Sequence, residues 1–359
     1  MKVTFLVPSA KRPIGGVIAL YEFANGLSRL GHEVSLVHLP VIEDHIDALA
    51  DVDWFRFEPG VQHHFRPAAL DGHDLPDADF IDLTALRFFT DSTFPGGGGA
   101  GPPARFGLPF LVVQAFGIFP AAVDAHAFRT PGLKVCVSRW LMDEVVASGE
   151  AQRDVAYVPN GIDHETFRRT RPLDERGAQV AMLFNSHPQK NPYDGLLALA
   201  EVRRRMPEMR VVVFGTGERP EQIDELIPDG VTYVRLPSRA DLVDRIYNRS
   251  RVFVSSSFRE GFGFCALEAM SCGCALVTND NGGSDEYAVD GENAFVCPVG
   301  DIDAMADRVE RLLRDDALRV RIAERGQADA GRFDWDDSAR RLEATLRDYA
   351  AREQASATA

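Results

Sequence analysis

The sequence predicts an α/β protein made of two domains, each built on a parallel sheet. Three observations carry that expectation. At 359 residues the chain exceeds the length at which one hydrophobic core stops growing, and an apolar content of 45% can fill two cores. The N-terminus reads strand, helix, strand, which asks for a right-handed parallel crossover. Far along the chain, a short apolar strand runs through a glycine-bracketed turn into a helix over Arg251–Ala275.

In the first half, Lys2–Pro8 is a strand, Ser9–Gly16 a loop, Val17–Leu30 an amphipathic helix closed by Gly31, and Val34–Leu39 the next strand. Gly15-Gly16 is either a plain turn before a helix or a loop that a ligand can approach. Phe94–Pro103, FPGGGGAGPP, is the one low-complexity tract. Four successive glycines cannot pack a core, so an exposed, mobile loop is expected, either a lid or a surface loop without function. The strand Phe110–Val113 then delivers Gln114-Ala-Phe-Gly117 at its carboxyl end, where open α/β sheets bind ligands.

Asn160–Arg171 is punctuated by Pro159, Gly161 and Pro172 and reads as a hinge. A second domain is expected from about Gln179 to Asp334. Helical periodicity over Asp336–Arg352, through Leu342, Leu346 and Tyr349, marks a terminal helix, with Glu353–Ala359 frayed.

The most informative stretch is Phe258–Ala275, FREGFGFCALEAMSCGCA. It sets Glu260 in the strand-to-helix loop and Glu268 about one turn into a helix over Phe264–Ser271, with Leu267 and Met270 facing inward. Gly261 and Gly263 let backbone N–H groups come close to a phosphate or sugar, and the helix N-terminus adds positive potential. Two carboxylates a loop apart can each grip a pair of vicinal hydroxyls. Taken singly, Glu268 is equally an exposed helix carboxylate and Glu260 a favourable charge near a helix N-terminus.

Composition excludes several classes. Net charge is -15, and residues 1–170 hold 14 Lys and Arg against 21 Asp and Glu, so neither half suits nucleic acid. No Lys/Arg cluster offers a basic face to anionic lipid, which favours a soluble acceptor or at most peripheral membrane contact. The apolar runs are strand length, shorter than the roughly 20 residues of a membrane span. Met1-Lys2 leads straight into a strand with no signal-peptide pattern, so a cytoplasmic protein is expected. Five cysteines fit a reducing compartment better than a disulfide framework. Cys265, Cys272, Cys274 and Cys297 lack metal-ligand spacing and read as buried small hydrophobes. The Asp-x-Asp triplets at Asp51, Asp77 and Asp301 follow no strand in a glycine-lined cleft, so no metal requirement is expected.

Glu260, seven intervening residues and Glu268, followed by Ala269-Met270 and Gly273, resemble the signature of the retaining glycosyltransferases of family 4. Val158-Pro-Asn-Gly-Ile-Asp163, Val211-Val-Val-Phe-Gly-Thr-Gly217 and Asp280-Asn-Gly-Gly-Ser-Asp-Glu286 are similar to further motifs of that family. In the N-terminal half the resemblance narrows to Gly15-Gly16, Gly31-His-Glu-Val34 and Val137-Ser-Arg-Trp140. It implies the GT-B fold: two facing Rossmann-like domains with a central cleft and a C-terminal helix crossing back. The acceptor domain would then be residues 1–165 with 336–359, and the donor domain 172–335.

The resemblance also implies roles. The reaction would move a sugar from a nucleotide-diphosphate donor to an acceptor hydroxyl with retention, the departing phosphate oxygen acting as base, with no cofactor beyond that co-substrate. Natural-product glycosylation and polysaccharide assembly both fit. Glu260 would contact the donor sugar and Glu268 the ribose hydroxyls, while the backbone of Gly261, Phe262, Gly263 and Phe264 reaches the sugar or distal phosphate. Lys190 stands where the family has a lysine, whereas Asn185 stands where it has an arginine; Lys190 and His187 would hold the diphosphate. Gly15 and Gly16 would approach the donor phosphate or the acceptor and Gly215 would bind the donor at a strand-end turn, Arg235 to Pro237, including Leu236, would border the base, and Ser255 to Ser257 could add hydroxyl contacts. Gln114 occupies a place where many members have histidine. It can donate a hydrogen bond but cannot exchange protons at neutral pH.

Two readings from other classes remain open. Gly261-Phe-Gly263-Phe-Cys-Ala266 formally satisfies the dinucleotide fingerprint, with Asp280 19 residues beyond Gly261, as a nicotinamide-dependent oxidoreductase would have. Gln114 and Asn185 also suit a catalytically silent GT-B partner protein. An epimerase or phosphorylase is a further variant within the fold, although no site for a pyridoxal-phosphate lysine is evident.

Overall fold

The structure is a computed structural model and describes residues 1–66, 75–85, 106–149, 152–227 and 229–358. The glycine-rich tract Phe94–Pro103 lies outside the described residues. The chain divides into two compact units, residues 1–161 with 335–359, and residues 162–334.

In the first unit, β1 (Lys2–Pro8), α1 (Gly15–Arg29) and β2 (Glu33–Leu39) form the expected opening. β3 (Val61–Phe65), β4 (Phe80–Asp82), β5 (Leu108–Val113), β6 (Leu133–Cys136) and β7 (Val155–Tyr157) complete a parallel sheet of order β3-β2-β1-β4-β5-β6-β7. α2 (Ala121–Arg129) and α3 (Arg139–Ala147) follow β5 and β6. β1 is buried from Val3 to Pro8, which a sheet covered on both faces requires and which explains its continuous apolar run.

The start of α1 differs from the sequence expectation. Gly15 and Gly16 are the first two helical residues rather than loop. Ile14 takes the extended N-cap conformation, and its carbonyl already accepts from Val17 N and Ile18 N, both at 2.9 Å.

In the second unit, β8 (Gln179–Leu183), α4 (Pro192–Arg205), β9 (Arg210–Gly215), α5 (Glu221–Leu226) and β10 (Val231–Arg235) alternate. The short α6 (Arg239–Asp241) continues as a π-helical turn over Leu242–Ile246 and a 3-10 turn over Tyr247–Arg249. Then come β11 (Val252–Ser255), α7 (Phe264–Ser271), β12 (Ala275–Asn279), β13 (Ala294–Cys297), α8 (Ile302–Arg314) and α9 (Asp316–Ala330). All neighbours are parallel, in the order β10-β9-β8-β11-β12-β13. Val180, Met182, Val211, Val213, Val252, Val254 and Val277 share one core with Leu196 and Leu199 of α4 and Val309 of α8.

The terminal helix α10 (Trp335–Thr358) packs on α1 within the first unit. Gly26 makes the close crossing possible, since a Cβ there would stand 2.5 Å from Ala339 Cβ. Arg29 adds an ion pair to Asp336, and His32 Nε2 lies 3.1 Å from Glu343 Oε1. The helix runs to Thr358 instead of fraying from Glu353, because alanine and long straight side chains keep exposed turns helical without packing.

Candidate active site

Each sheet reverses its strand order once, between β1 and β4 and between β8 and β11. At such a switch point the loops leaving two adjacent strands part to opposite faces and open a crevice at their carboxyl ends. Gly15 and Gly16 follow β1, and Lys190 and Glu260 follow β8 and β11, at these points; Gln114, Gly215, Arg235 and Leu236 stand at the ends of β5, β9 and β10.

In the second unit, β8 leads to the 3-10 turn Pro188–Lys190 and β11 leads to Glu260. Gln189 O accepts from Phe258 N at 2.8 Å, which fastens one loop to the other. Across this seam Lys190 Nζ lies 2.6 Å from Glu260 Oε2, and Ser257 Oγ donates to Glu260 Oε1 at 2.7 Å. Lys190 and Glu260 are 26% and 11% exposed at their side chains, so the attraction is less screened than on an open surface. Asn185 Oδ1 accepts from His187 N at 2.9 Å, and His187 Nδ1 accepts from Gln189 N at 3.3 Å. With Nδ1 an acceptor, the proton of the neutral ring is on Nε2, a donor. Asn185 thus shapes the turn that presents His187 and Lys190. It supplies no second cation.

A third loop completes this edge. Glu260 N donates to Asn281 O at 3.0 Å, and residue 260 bridges to Gly282. Gly283 is glycine for a steric reason: a Cβ would stand 2.8 Å from both Glu260 O and Phe262 N. Gly263 is the N-cap of α7 with φ +95°, and a Cβ there would meet the Tyr287 hydroxyl at 2.5 Å. That hydroxyl donates to Gly263 O at 3.1 Å. Phe262 is buried against Tyr287 and Phe333, while Gly261 and Phe264 are partly exposed. No side chain caps α7, so its first N–H groups are not satisfied by a side chain at the N-cap.

Glu268, one turn into α7, accepts from Tyr247 Oη at 3.1 Å through Oε2. Desolvation raises its carboxyl to about 7; the Tyr247 hydrogen bond and the Arg239 charge oppose the shift, and Asp163 adds to it. Arg239 Nη1 in turn lies 3.3 Å from Asp163 Oδ2. Cys265 is half-buried rather than fully buried as its spacing suggested, and its thiol lies within electrostatic reach of Glu268, Glu260 and Lys190, so the three share one region. Burial is the main reason that thiol is raised above its ordinary range.

At the next strand ends, a Cβ on Gly215 would come within 2.5 Å of Phe184 O. Gly215 O accepts from Leu236 N at 2.8 Å, and Leu236 is held at φ +45° with 42% of its surface exposed. The Arg235 guanidinium pairs with Glu218 at 3.3 Å. The hydroxyls of Ser256 and Ser257 are turned inward, to Asn191 O and to Glu260, and are committed to protein contacts. In the first unit, Gln114 Nε2 donates to Gly16 O at 3.1 Å, and no side chain caps the α1 N-terminus.

Sequence reasoning does not find Ser257 as the partner of Glu260, nor Tyr247 and Arg239 at all. A phenol that shares helical spacing with the apolar Val243 and Ile246 in Leu242–Tyr247 is the available signal. Cys136, Cys272, Cys274 and Cys297 are buried and unbridged. Among the described residues no group of three His, Cys, Asp or Glu side chains could hold a metal ion, and no helix is long and apolar enough to cross a membrane. Asp301 caps α8 by accepting from Ala304 N at 2.9 Å.

The first glycine of the dinucleotide-like run, Gly261, lies beyond a loop that already carries Ser257 and Glu260, not directly at the end of β11. Comparisons with known proteins point away from a dehydrogenase. A phosphatidyl-myo-inositol mannosyltransferase of Mycolicibacterium smegmatis is 28% identical over 204 residues, 55% of this chain and 51% of the relative. A D-inositol 3-phosphate glycosyltransferase of Corynebacterium urealyticum is 32% identical over 211 residues, 52% and 50% of the two chains. The chain spans about half the length of the curated relatives it matches. Among solved structures, sucrose-phosphate synthase from Thermosynechococcus elongatus superposes with a TM-score of 0.74 at 15% identity, over 98% of this chain and 99% of the other. Anabaena HepE in complex with UDP and glucose gives 0.72 at 19% identity, over 97% and 100%. The fold is therefore that of the GT-B glycosyltransferases, and residues 163–329 match the family model described as glycosyl transferases group 1.

Proposed function

We propose that this chain is a retaining, metal-independent glycosyltransferase of family 4 that moves a sugar from a nucleoside-diphosphate donor to an acceptor hydroxyl. The observation that supports it most is the Lys190–Glu260 pair at the switch point of the second unit, beside the α7 N-terminus. A cation and a helix N-terminus suit a diphosphate, and a carboxylate held by Ser257 suits sugar hydroxyls.

In this reading Lys190 and His187 hold the diphosphate, Glu260 and the backbone of Gly261 to Phe264 the sugar, and Glu268 the ribose. Arg235 and Leu236, with Gly215 behind them, border the base. Gly15, Gly16 and Gln114 serve the donor phosphate or the acceptor from the first unit. The bond from the anomeric carbon to the diphosphate oxygen breaks and the acceptor oxygen bonds to that carbon on the same face. The acceptor proton passes to the departing diphosphate oxygen, whose charge Lys190 stabilises. Gln114 contributes a hydrogen bond without proton exchange. Given a net charge of -15, water-soluble acceptors in a cytoplasmic setting come first.

The test is a thermal-shift screen of uridine, guanosine, adenosine and thymidine diphosphates and their sugars, followed by donor turnover with and without EDTA. A rise in melting temperature with one base, and EDTA-insensitive release of that diphosphate with an α-configured product from an α-linked donor, supports the reading. Stabilisation by NADH instead, or binding of a nucleotide sugar with no transfer or hydrolysis, overturns it.

A further inference from the structure

Tyr247 sits behind the proposed ribose site without facing solvent, and everything around it fixes where its hydroxyl points. The ring is fully buried between Phe253, Phe214 and Phe167. Its backbone comes straight out of the π-helical turn Leu242–Ile246, an uncommon distortion that shifts the side chains after it around the axis. Side chains hold that irregular stretch. Asn248 Nδ2 donates to Val243 O at 3.1 Å and Arg168 O at 3.0 Å, and its Oδ1 accepts from Thr170 N at 2.7 Å. The buried guanidinium of Arg176 donates to Tyr247 O at 3.2 Å and, at the far end of α7, to Cys272 O at 2.6 Å. One cation therefore ties the segment that carries Tyr247 to the helix that carries Glu268.

Resting on the donor reading above, we propose that Tyr247 is a positioning residue for Glu268: its hydroxyl occupies Oε2 and turns Oε1 toward the two ribose hydroxyls of the donor. A carboxylate that loses this donor can rotate and share its oxygens unequally with the ribose. The base and the diphosphate, bound elsewhere, would not notice.

That separation gives the test. For the nucleoside diphosphate that binds the wild-type chain, calorimetry compares the ribonucleotide with its 2′-deoxy analogue in wild type and in Tyr247→Phe. The wild type is expected to prefer the ribonucleotide roughly tenfold or more, the worth of one hydrogen bond to a charged group. Tyr247→Phe is expected to reduce that preference to about threefold or less, whereas a merely structural role would weaken both ligands alike and leave the ratio unchanged, overturning the proposal. Equal binding of both sugars by wild type sinks the positioning role but leaves the donor reading standing; no nucleotide binding at all sinks both. If Tyr247→Phe does not fold, 3-fluorotyrosine at position 247 keeps the ring and hydroxyl. Its fluorine resonance should move with the ribonucleotide and much less with the deoxy form, and equal shifts overturn the proposal.

Discussion

Lys190 Nζ and Glu260 Oε2 stand 2.6 Å apart although 70 positions separate them in sequence, and the strands that bring them together are neighbours only because the sheet reverses its order between β8 and β11. Replacing Lys190 by alanine leaves Glu260, 11% exposed, with Ser257 as its remaining side-chain hydrogen-bond partner. Lys190→Ala should therefore lose about 1–3 kcal/mol of unfolding free energy in urea and lower donor turnover about a hundredfold or more. Full turnover in the variant would remove Lys190 from the diphosphate site.

Glu268 gives a pH-dependent trade between stability and binding. Its carboxyl is raised from 4.5 to about 7 in the folded chain, so folding takes up a proton between those values. The contribution is fully present below pH 4.5 and is lost as pH rises through 7. Glu268→Gln, which cannot ionise, should match wild type in melting temperature near pH 5, exceed it at about pH 8, and bind the nucleotide more weakly at both. A stability difference that does not change with pH contradicts the desolvated carboxylate.

Gly283 is a steric prediction. A Cβ there meets backbone atoms, Glu260 O and Phe262 N, and no side chain can move aside. Gly283→Ala should cost about 1–3 kcal/mol and displace the loop that carries Glu260, reducing donor affinity as well. Gly291, where a Cβ would have nothing within 4 Å but φ is +74°, is the control: alanine there should destabilise the chain without altering donor affinity.

Arg176 is buried with its guanidinium among backbone carbonyls, those of Arg171, Tyr247, Ser250, Cys272 and Gly273, and without an acidic partner among the described residues. Desolvation lowers its pKa from the usual arginine value. Arg176→Met removes the donors and leaves several carbonyls unpaired, an expected loss of about 3 kcal/mol or more in denaturant unfolding. Arg176→Lys should restore less than half of it, because a single ammonium cannot span the fork between the Tyr247 segment and the end of α7.

What the sequence makes legible is local. Phe264–Ser271 emerges as a helix with the expected bounds because Leu267 and Met270 recur at helical spacing, and Lys2–Pro8 does so because a doubly covered strand is continuously apolar. Gly15-Gly16 reads as loop because glycine carries no periodic signal, so only the Ile14 carbonyl's bonds decide where α1 begins. Arg176 is invisible for another reason. Arginine is almost always exposed, so a charged residue in a loop offers no hint that five carbonyls close over it. The partners of Glu260 and Glu268 are out of reach as well, since a hydrogen bond from Ser257 or Tyr247 depends on tertiary placement that no spacing rule encodes.

The first unit holds a chain of polar groups inside an aromatic cluster that makes acid its weak point. Tyr21 Oη donates to Ser9 Oγ at 3.0 Å, Ser9 pairs with His38 Nδ1, and His38 Nε2 lies 2.9 Å from His63 Nδ1. A neutral His38 closes this chain with every proton donated in one direction. A charged one carries N–H at both nitrogens and turns a donor toward Ser9. Burial, with His63 and His64 adding like charge, pushes His38 down to about 3, and burial lowers the two neighbours too. A base whose folded value is depressed releases its proton on folding. The stability it contributes is complete above pH 6.5 and is lost as pH falls toward 3. The melting temperature of the full chain should thus fall between about pH 7.5 and pH 5, and His38→Gln, less stable at neutral pH, should flatten that slope. An equally steep slope in the variant assigns the acid sensitivity to groups other than this buried histidine.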